Sequence, residues 1–306
     1  MNSITRSMIN QAHPASLVLG CGSVMAGLTA SVIRGSIDLF PALMTMIFAA
    51  LLQITVNLYN GYRMYAGVYA KNPDESTMRR ANSVETKLMK VITDAFMILT
   101  VTAGLPLLTY IGWLGIVYLV VILAILHFNF KGQKPLVRTP WALLVTFVLF
   151  GPIGVTGTAL VQNLHSPVWM PLVTYSIING LMAVNAHIAV MYATYQVDLM
   201  QEKHTLLVTE GVTFTRSLFM LDTFIVCLLL VARQCVSDYV SIWGGLSIAA
   251  FLLISSIWVF SRMKTDPLTW STKLIKVTKA QYILLILVMM SVVIYSFNGV
   301  SVSLFQ

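Results

Sequence analysis

Charge is scarce in this chain, and negative charge scarcest. Only 10% of its 306 residues are ionic, with 11 Asp and Glu against 19 Lys and Arg. Ordinary soluble domains carry roughly 25% charged residues, and so few ions cannot cover a water-facing surface of this size. Cysteine is nearly missing as well. Cys21, Cys227 and Cys235 are scattered and odd in number, which argues against a disulfide framework and a thiolate metal site. The opening segment "MNSITRSMINQAHP" lacks the early basic region and small-residue cleavage site of a secretory signal and reads as a short interfacial lead-in. No low-complexity tract or long linker divides the sequence, so residues 1–306 are expected to form one domain. Nor is there an inverted half-repeat or a set of paired intramembrane acids, the features that would favour a transporter.

What the chain has instead is apolar sequence. Hydrophobic residues make up 58%, and the mean hydropathy is +0.82. Measured against the roughly 20 residues a spanning helix needs, the runs predict an all-α polytopic membrane protein with nine transmembrane helices. They cover Ala15–Ile33, Leu39–Tyr59, Val91–Tyr110, Gly112–His127, Trp141–Val161, Trp169–Thr194, Leu218–Gln234, Val240–Phe260 and Gln281–Phe297. Pro106 and the "GPIG" starting at Gly151 fall inside spans, where neighbouring helices must satisfy the backbone groups that proline frees.

The basic residues set the expected orientation. With nine spans, 17 of the 19 Lys and Arg lie in the N-terminus and the even-numbered loops, leaving Arg34 and Arg233 on the other side. The positive-inside rule makes the populated side cytoplasmic, which in a bacterial cell means insertion in the inner membrane. The net charge of +8 is then topological. It calls for no nucleic acid, and anionic membrane lipids are its expected neighbours.

Polar residues at membrane depth are functional candidates by default. In "QITVNLYNGYRMYAGVY", Gln53, Asn57 and Asn60 are spaced by four and three and share one helix face. Such a stripe is either a hydrogen-bonded seam between helices or the wall of a polar cavity. The sixth run ends similarly, with Asn185, His187, Tyr192, Thr194 and Asp198, then Lys203, His204 and Thr205. Thr194 and Asp198 are four apart and share a face. His187 reads as a packing residue satisfied by a neighbouring helix.

These stretches resemble the UbiA superfamily of intramembrane prenyltransferases, and within it the 1,4-dihydroxy-2-naphthoate polyprenyltransferase branch of menaquinone biosynthesis. "HPASLVLGCGSVMAG" (His13 to Gly27) is similar to that family's Pro-led first helix. "QITVNLYNGY" is similar to its Q-I-x-x-N-L-x-N-D-Y. "FNFKGQKPLVRTPWALLVTFVLFGPIGVTGTALVQN" resembles the branch's stretch from a tyrosine-rich loop into a helix bearing F-F-G-P. "DLMQEKHTLLVTEG" is similar to D-x-x-x-G-K-x-T-L-x-V-x-x-G, and "TDP" before the last helix has a counterpart. The resemblance implies ionisation of a polyprenyl diphosphate at its allylic C–O bond and attack by an aromatic acceptor such as a dihydroxynaphthoate. It also implies Mg²⁺, held against the leaving diphosphate by N-D-x-x-D and D-x-x-x-D motifs.

The residues depart from that pattern at the acids. The first motif falls on Asn60, Gly61, Tyr62, Arg63 and Met64, so both of its aspartates are replaced. In the second, Thr194 stands for the leading acid, and the Asn-Asn and Arg before it fall on Val190, Met191 and Ala193. The Gly before the Lys position is Glu202. Asp198 is the one candidate Mg²⁺ ligand left, while Asn57, Asn60, Tyr62, Arg63 and Lys203 remain as candidates for binding the diphosphate and isoprenoid. Losing one preorganised contact to the transition state costs about 3–4 kcal/mol, and losing most ligands of a metal costs more. Mg²⁺-dependent catalysis is therefore not supported, and a non-catalytic isoprenoid- or quinone-binding protein is the alternative. Two substitutes remain open. Arg63, with Lys71, Arg79, Arg80 and Lys203, would bind an anionic head directly, or Arg63 merely extends its charge to the interface. Otherwise Asp74 and Glu75 would supply acids from the loop.

Overall fold

The computed structural model describes residues 17–32, 37–67, 82–130, 135–162, 169–234, 242–263 and 267–303, together with 75, 78 and 79. The described residues form an all-α bundle of nine helices. They are α1 (Leu17–Val32), α2 (Leu39–Tyr65), α3 (Val84–Ile111), α4 (Trp113–Phe130), α5 (Ala142–Gln162), α6 (Trp169–Met200), α7 (Leu206–Gln234), α8 (Ile242–Met263) and α9 (Pro267–Ser303). Eight of them are long and apolar enough to cross a membrane, and α1 is a shorter apolar helix. The chain is an integral membrane protein.

Hydropathy located the membrane-embedded parts, whereas the helices run further. α3 starts at Val84 rather than Val91 because Ser83 caps it, its Oγ accepting from the Thr86 amide at 3.2 Å. α9 starts at Pro267 rather than Gln281, since proline suits the first helical position. Its first turns carry Lys273, Lys276 and Lys279, which end an apolar run without ending a helix. α7 starts at Leu206 rather than Leu218 and is broken at Gly211, where φ is +79°. A side chain is strained in that region of backbone space, so glycine is required there. The break is stitched from both sides: the Tyr192 hydroxyl donates to Val212 O at 3.0 Å, and Thr215 Oγ1 donates to Gly211 O at 2.9 Å.

Cross-helix hydrogen bonds fix the directions. α2 and α3 are antiparallel, with Thr55 Oγ1 2.8 Å from Thr100 Oγ1 and the Tyr65 hydroxyl donating to Glu85 at 2.7 Å. α5 and α6 are antiparallel, since Thr146 meets His187 Nδ1 at 2.7 Å while Asn179 Nδ2 donates to Phe150 O at 2.6 Å. The Asp38 amide, at the start of α2, donates to Gln162 Oε1 at the end of α5, 2.9 Å away. α6 also begins beyond that end of α5. Hence α2 and α6 run the same way and finish at the same end of the bundle. They do not lie side by side; α1 and α5 pack against both.

The centre is built from close backbone approaches, because lipid gives helices no hydrophobic reason to associate. Every residue of α1 from Gly22 to Ala30 is buried. A Cβ on Gly27 would stand 2.5 Å from Thr158 Cβ and 2.6 Å from Val155 O of α5, so only glycine lets these helices meet. Beside this contact α5 makes a π-helical turn, Leu149–Ile153, around Pro152. The displaced carbonyl of Phe150 is taken up by Ser23 Oγ at 2.8 Å and Asn179 Nδ2 at 2.6 Å, and the Tyr282 hydroxyl donates to Asn179 Oδ1 at 2.6 Å. The π-helical turn beside Pro152 is thus tied to three neighbouring helices by one buried network.

Candidate functional site

The common end of α2 and α6 carries Asn57, Asn60, Tyr62, Arg63, Asp198 and Lys203 among the candidate residues named from the sequence. On α2, Gln53, Asn57, Asn60, Tyr62 and Arg63 are all half-buried. Gln53 Nε2 donates to Asn57 Oδ1 at 3.4 Å, so the two amides couple along one helix face. Arg63 turns back along the helix. Its Nη1 donates to the Tyr59 hydroxyl at 3.3 Å, with Cζ 5.7 Å from the Tyr59 ring centroid. Tyr59 in turn sets its edge against Phe130 of α4, centroids 5.5 Å apart. The guanidinium therefore rests on Tyr59, which is itself braced by Phe130. Gly61 is half-buried and Met64 exposed; neither offers an oxygen side chain.

On α6 the shared face of Thr194 and Asp198 becomes a bond: Thr194 Oγ1 donates to Asp198 Oδ2 at 3.0 Å. Asp198 is 3% exposed. Its other oxygen, Oδ1, accepts from Lys203 Nζ at 2.7 Å, and the Lys203 side chain keeps 19% of its surface accessible. The ion pair depends on how the chain leaves the helix. Glu202 adopts φ +49°, after which the Lys203 amide donates back to Asp198 O at 2.9 Å. That left-handed backbone is one that glycine adopts at least cost and a residue with a side chain adopts seldom. The segment before α5, a 3-10 turn at Leu136–Arg138, clamps this loop from outside. The His204 amide donates to Arg138 O at 2.9 Å, and the Arg138 guanidinium donates to Gln201 O.

The donor set does not suit Mg²⁺. Magnesium takes oxygen ligands in near-octahedral array, usually one or two carboxylates plus substrate phosphate. Both Asp198 oxygens already face donors, Thr194 Oγ1 on Oδ2 and the ammonium of Lys203 on Oδ1. Among the described residues no group of three or more His, Cys, Asp or Glu is placed to hold a metal ion. Glu75 does not turn inward to help; it pairs with Arg79 at 2.6 Å, both side chains largely exposed. Lys71, Asp74 and Arg80 lie outside the described residues.

Other expectations resolve plainly. His187 is a packing residue, its Nδ1 on Thr146. Cys21 and Cys227 are free thiols, and Cys235 lies outside the described residues. Sequence reasoning missed two polar features. One is the Ser23–Asn179–Tyr282 knot at the bundle centre, whose members lie too far apart in sequence to be associated. The other is Asp222 in α7, 4% exposed, whose Oδ2 meets no donor. Its signal was available, since an acid inside "LFMLDTFIVCLLL" is conspicuous.

No family model matches the sequence, and no curated protein sequence matches it. Solved structures do. A UbiA homologue from Aeropyrum pernix K1 superposes with a TM-score of 0.60 at 14% identity, covering 95% of this chain and 100% of that one. A structure of digeranylgeranylglyceryl phosphate synthase superposes with a TM-score of 0.58 at 11% identity, covering 97% of this chain and 100% of the other. The protein has the UbiA-type fold over nearly its whole length.

Proposed function

We propose that this protein holds an isoprenoid lipid by a diphosphate-type head group at the end of the bundle where α2 and α6 finish. Its scaffold suits polyprenyl transfer to an aromatic acceptor of the dihydroxynaphthoate type, the menaquinone-type reaction. The observation that carries the reading is that α2 and α6 finish at one end of a UbiA-type bundle, α2 bearing Asn57, Asn60, Tyr62 and Arg63, and α6 leading into Lys203. The amides and the phenol supply hydrogen bonds to phosphate oxygens, and the guanidinium and ammonium supply charge. The apolar bundle interior suits the prenyl chain. By the charge bias of the loops, this end faces the cytoplasm.

Within that reading, retention of the lipid is favoured over its transfer. Ionising an allylic C–O bond loads negative charge on the leaving diphosphate, which must be neutralised where water is excluded. Mg²⁺ would supply that neutralisation in an enzyme of this fold. Asp198, bound on both oxygens, is not disposed to hold the ion. The protein then serves as an isoprenoid- or quinone-binding descendant of a transferase scaffold.

A photo-crosslinking experiment tests the placement. Purified protein in nanodiscs is irradiated with a polyprenyl diphosphate analogue carrying a photoreactive group near its diphosphate, and the labelled peptides are sequenced. Labels should cluster at the C-terminal ends of α2 and α6 and be competed by unlabelled diphosphate. Labels confined to the lipid-facing surfaces of α3 and α4, indifferent to competitor, would refute it.

A further inference from the structure

The UbiA fold implies a divalent cation between acid and diphosphate; here the one remaining acid, Asp198, is paired with Lys203 at 2.7 Å. We infer that Lys203, anchored on Asp198, is a built-in cation that lets this site bind an isoprenoid diphosphate without any divalent metal. The inference rests on the head-group reading above and adds how the charge is met.

Three observations carry it. First, the ammonium is fixed rather than wandering. It sits 2.7 Å from Asp198 Oδ1, and the carboxylate is steadied by Thr194 from the other side at 3.0 Å. The loop that delivers it is locked by the left-handed Glu202 and by two bonds to Arg138. Second, an ammonium has three N–H donors, and Asp198 uses one. With 19% of the side chain accessible, donors remain for a phosphate oxygen. Third, the charge balance differs from that of the family pattern. Four carboxylates would repel a diphosphate until metal neutralised them. At the positions of that pattern stand Gly61, Met64, Thr194 and the one carboxylate of Asp198, and that carboxylate is already met by the ammonium of Lys203. Such a site carries no excess negative charge for a metal to neutralise, and the ammonium donors that Asp198 leaves open suit an anion directly.

The test is the affinity of purified protein in nanodiscs for geranylgeranyl diphosphate, by calorimetry, in excess chelator and again in millimolar Mg²⁺. Geranylgeraniol and inorganic diphosphate serve as controls, separating the lipid tail and the free anion from the combined ligand. The expected result is binding in chelator within about threefold of that in Mg²⁺, and much weaker binding of either control. Asp198→Asn removes the competing negative charge but keeps the shape, and should tighten metal-free binding about threefold or more. Lys203→Met should weaken it about tenfold or more, with Lys203→Arg recovering most of the loss. Binding seen only with Mg²⁺ and lost in Asp198→Asn would overturn the inference while leaving the head-group reading intact. Affinity indifferent to every Lys203 and Asp198 variant would reduce the pair to a structural tie and also overturn it. No binding in either buffer would defeat the head-group reading itself, and the inference with it.

Discussion

The ammonium of Lys203 stands 2.7 Å from Oδ1 of Asp198, one residue beyond a left-handed Glu202. Helix end, turn and ion pair form one unit, so disturbing any member should be felt by the rest. Lys203→Met leaves a buried carboxylate with only Thr194 as partner. Because the lysine is partly solvated, the cost should be moderate, about 1–3 kcal/mol. Unfolding by an SDS titration measures it, and Lys203→Arg should restore about half or more of the loss.

The turn makes its own prediction. At φ +49° a β-branched residue is strongly disfavoured, whereas glycine is at ease. Glu202→Val should destabilise by about 1–2 kcal/mol, while Glu202→Gly should stay within about 1 kcal/mol of the parent protein. The same SDS titration reads both. Equal destabilisation by the two would mean that the glutamate side chain, not the backbone, holds the turn.

At the bundle centre, Gly27→Ala places a methyl 2.6 Å from the Val155 carbonyl. A backbone atom cannot step aside as a flexible side chain can, so α1 and α5 must separate. A loss of about 1–3 kcal/mol is expected, visible as a lower melting temperature in detergent.

Asn179 joins three helices through Phe150 O, Ser23 and Tyr282. Asn179→Leu should cost about 1–3 kcal/mol by leaving the Phe150 carbonyl to Ser23 alone and taking the 2.6 Å acceptor from the Tyr282 hydroxyl. Tyr282→Phe in that background should cost less than it does alone, because its partner is already gone. A double-mutant cycle in nanodiscs measures the coupling, and strict additivity would contradict the arrangement.

Much of this architecture was legible in the sequence, for physical reasons that also mark where legibility stopped. The nine apolar runs map one to one onto α1 to α9, because only helices can satisfy backbone polar groups in lipid. What hydropathy could not see was helix continuing outside the hydrocarbon, as at Pro267–Gln281 and Val84–Val91, where charged residues end the apolar run but not the hydrogen bonding. The four-residue step from Thr194 to Asp198 foretold their contact. The Lys203–Asp198 bond was not readable, because it needs a positive φ at a glutamate and a clamp from Arg138, 65 positions away in sequence. Arg63's contact with Tyr59, one helical turn earlier, follows the four-residue spacing that brings side chains together on a helix.

Orientation is the remaining expectation, and accessibility labelling reads it. In a cysteine-free background, Met78→Cys, exposed after α2, and Trp169→Cys, exposed at the start of α6, lie at opposite ends of the bundle. Membrane-impermeant maleimide on intact cells should label Trp169→Cys alone, and Met78→Cys only after lysis. The reverse pattern would put the α2–α6 site outside the cell.

One measurement bears most directly on the central claim that this site keeps an isoprenoid diphosphate instead of transferring its chain. Purified protein in nanodiscs is given a polyprenyl diphosphate, 1,4-dihydroxy-2-naphthoate and Mg²⁺, and the lipids and released diphosphate are followed by mass spectrometry. The account predicts isoprenoid diphosphate recovered bound and intact, with no prenylated product above a protein-free control. Multiple turnovers of prenylated naphthoate, abolished by Asp198→Ala, would contradict it and make Asp198 a metal ligand after all.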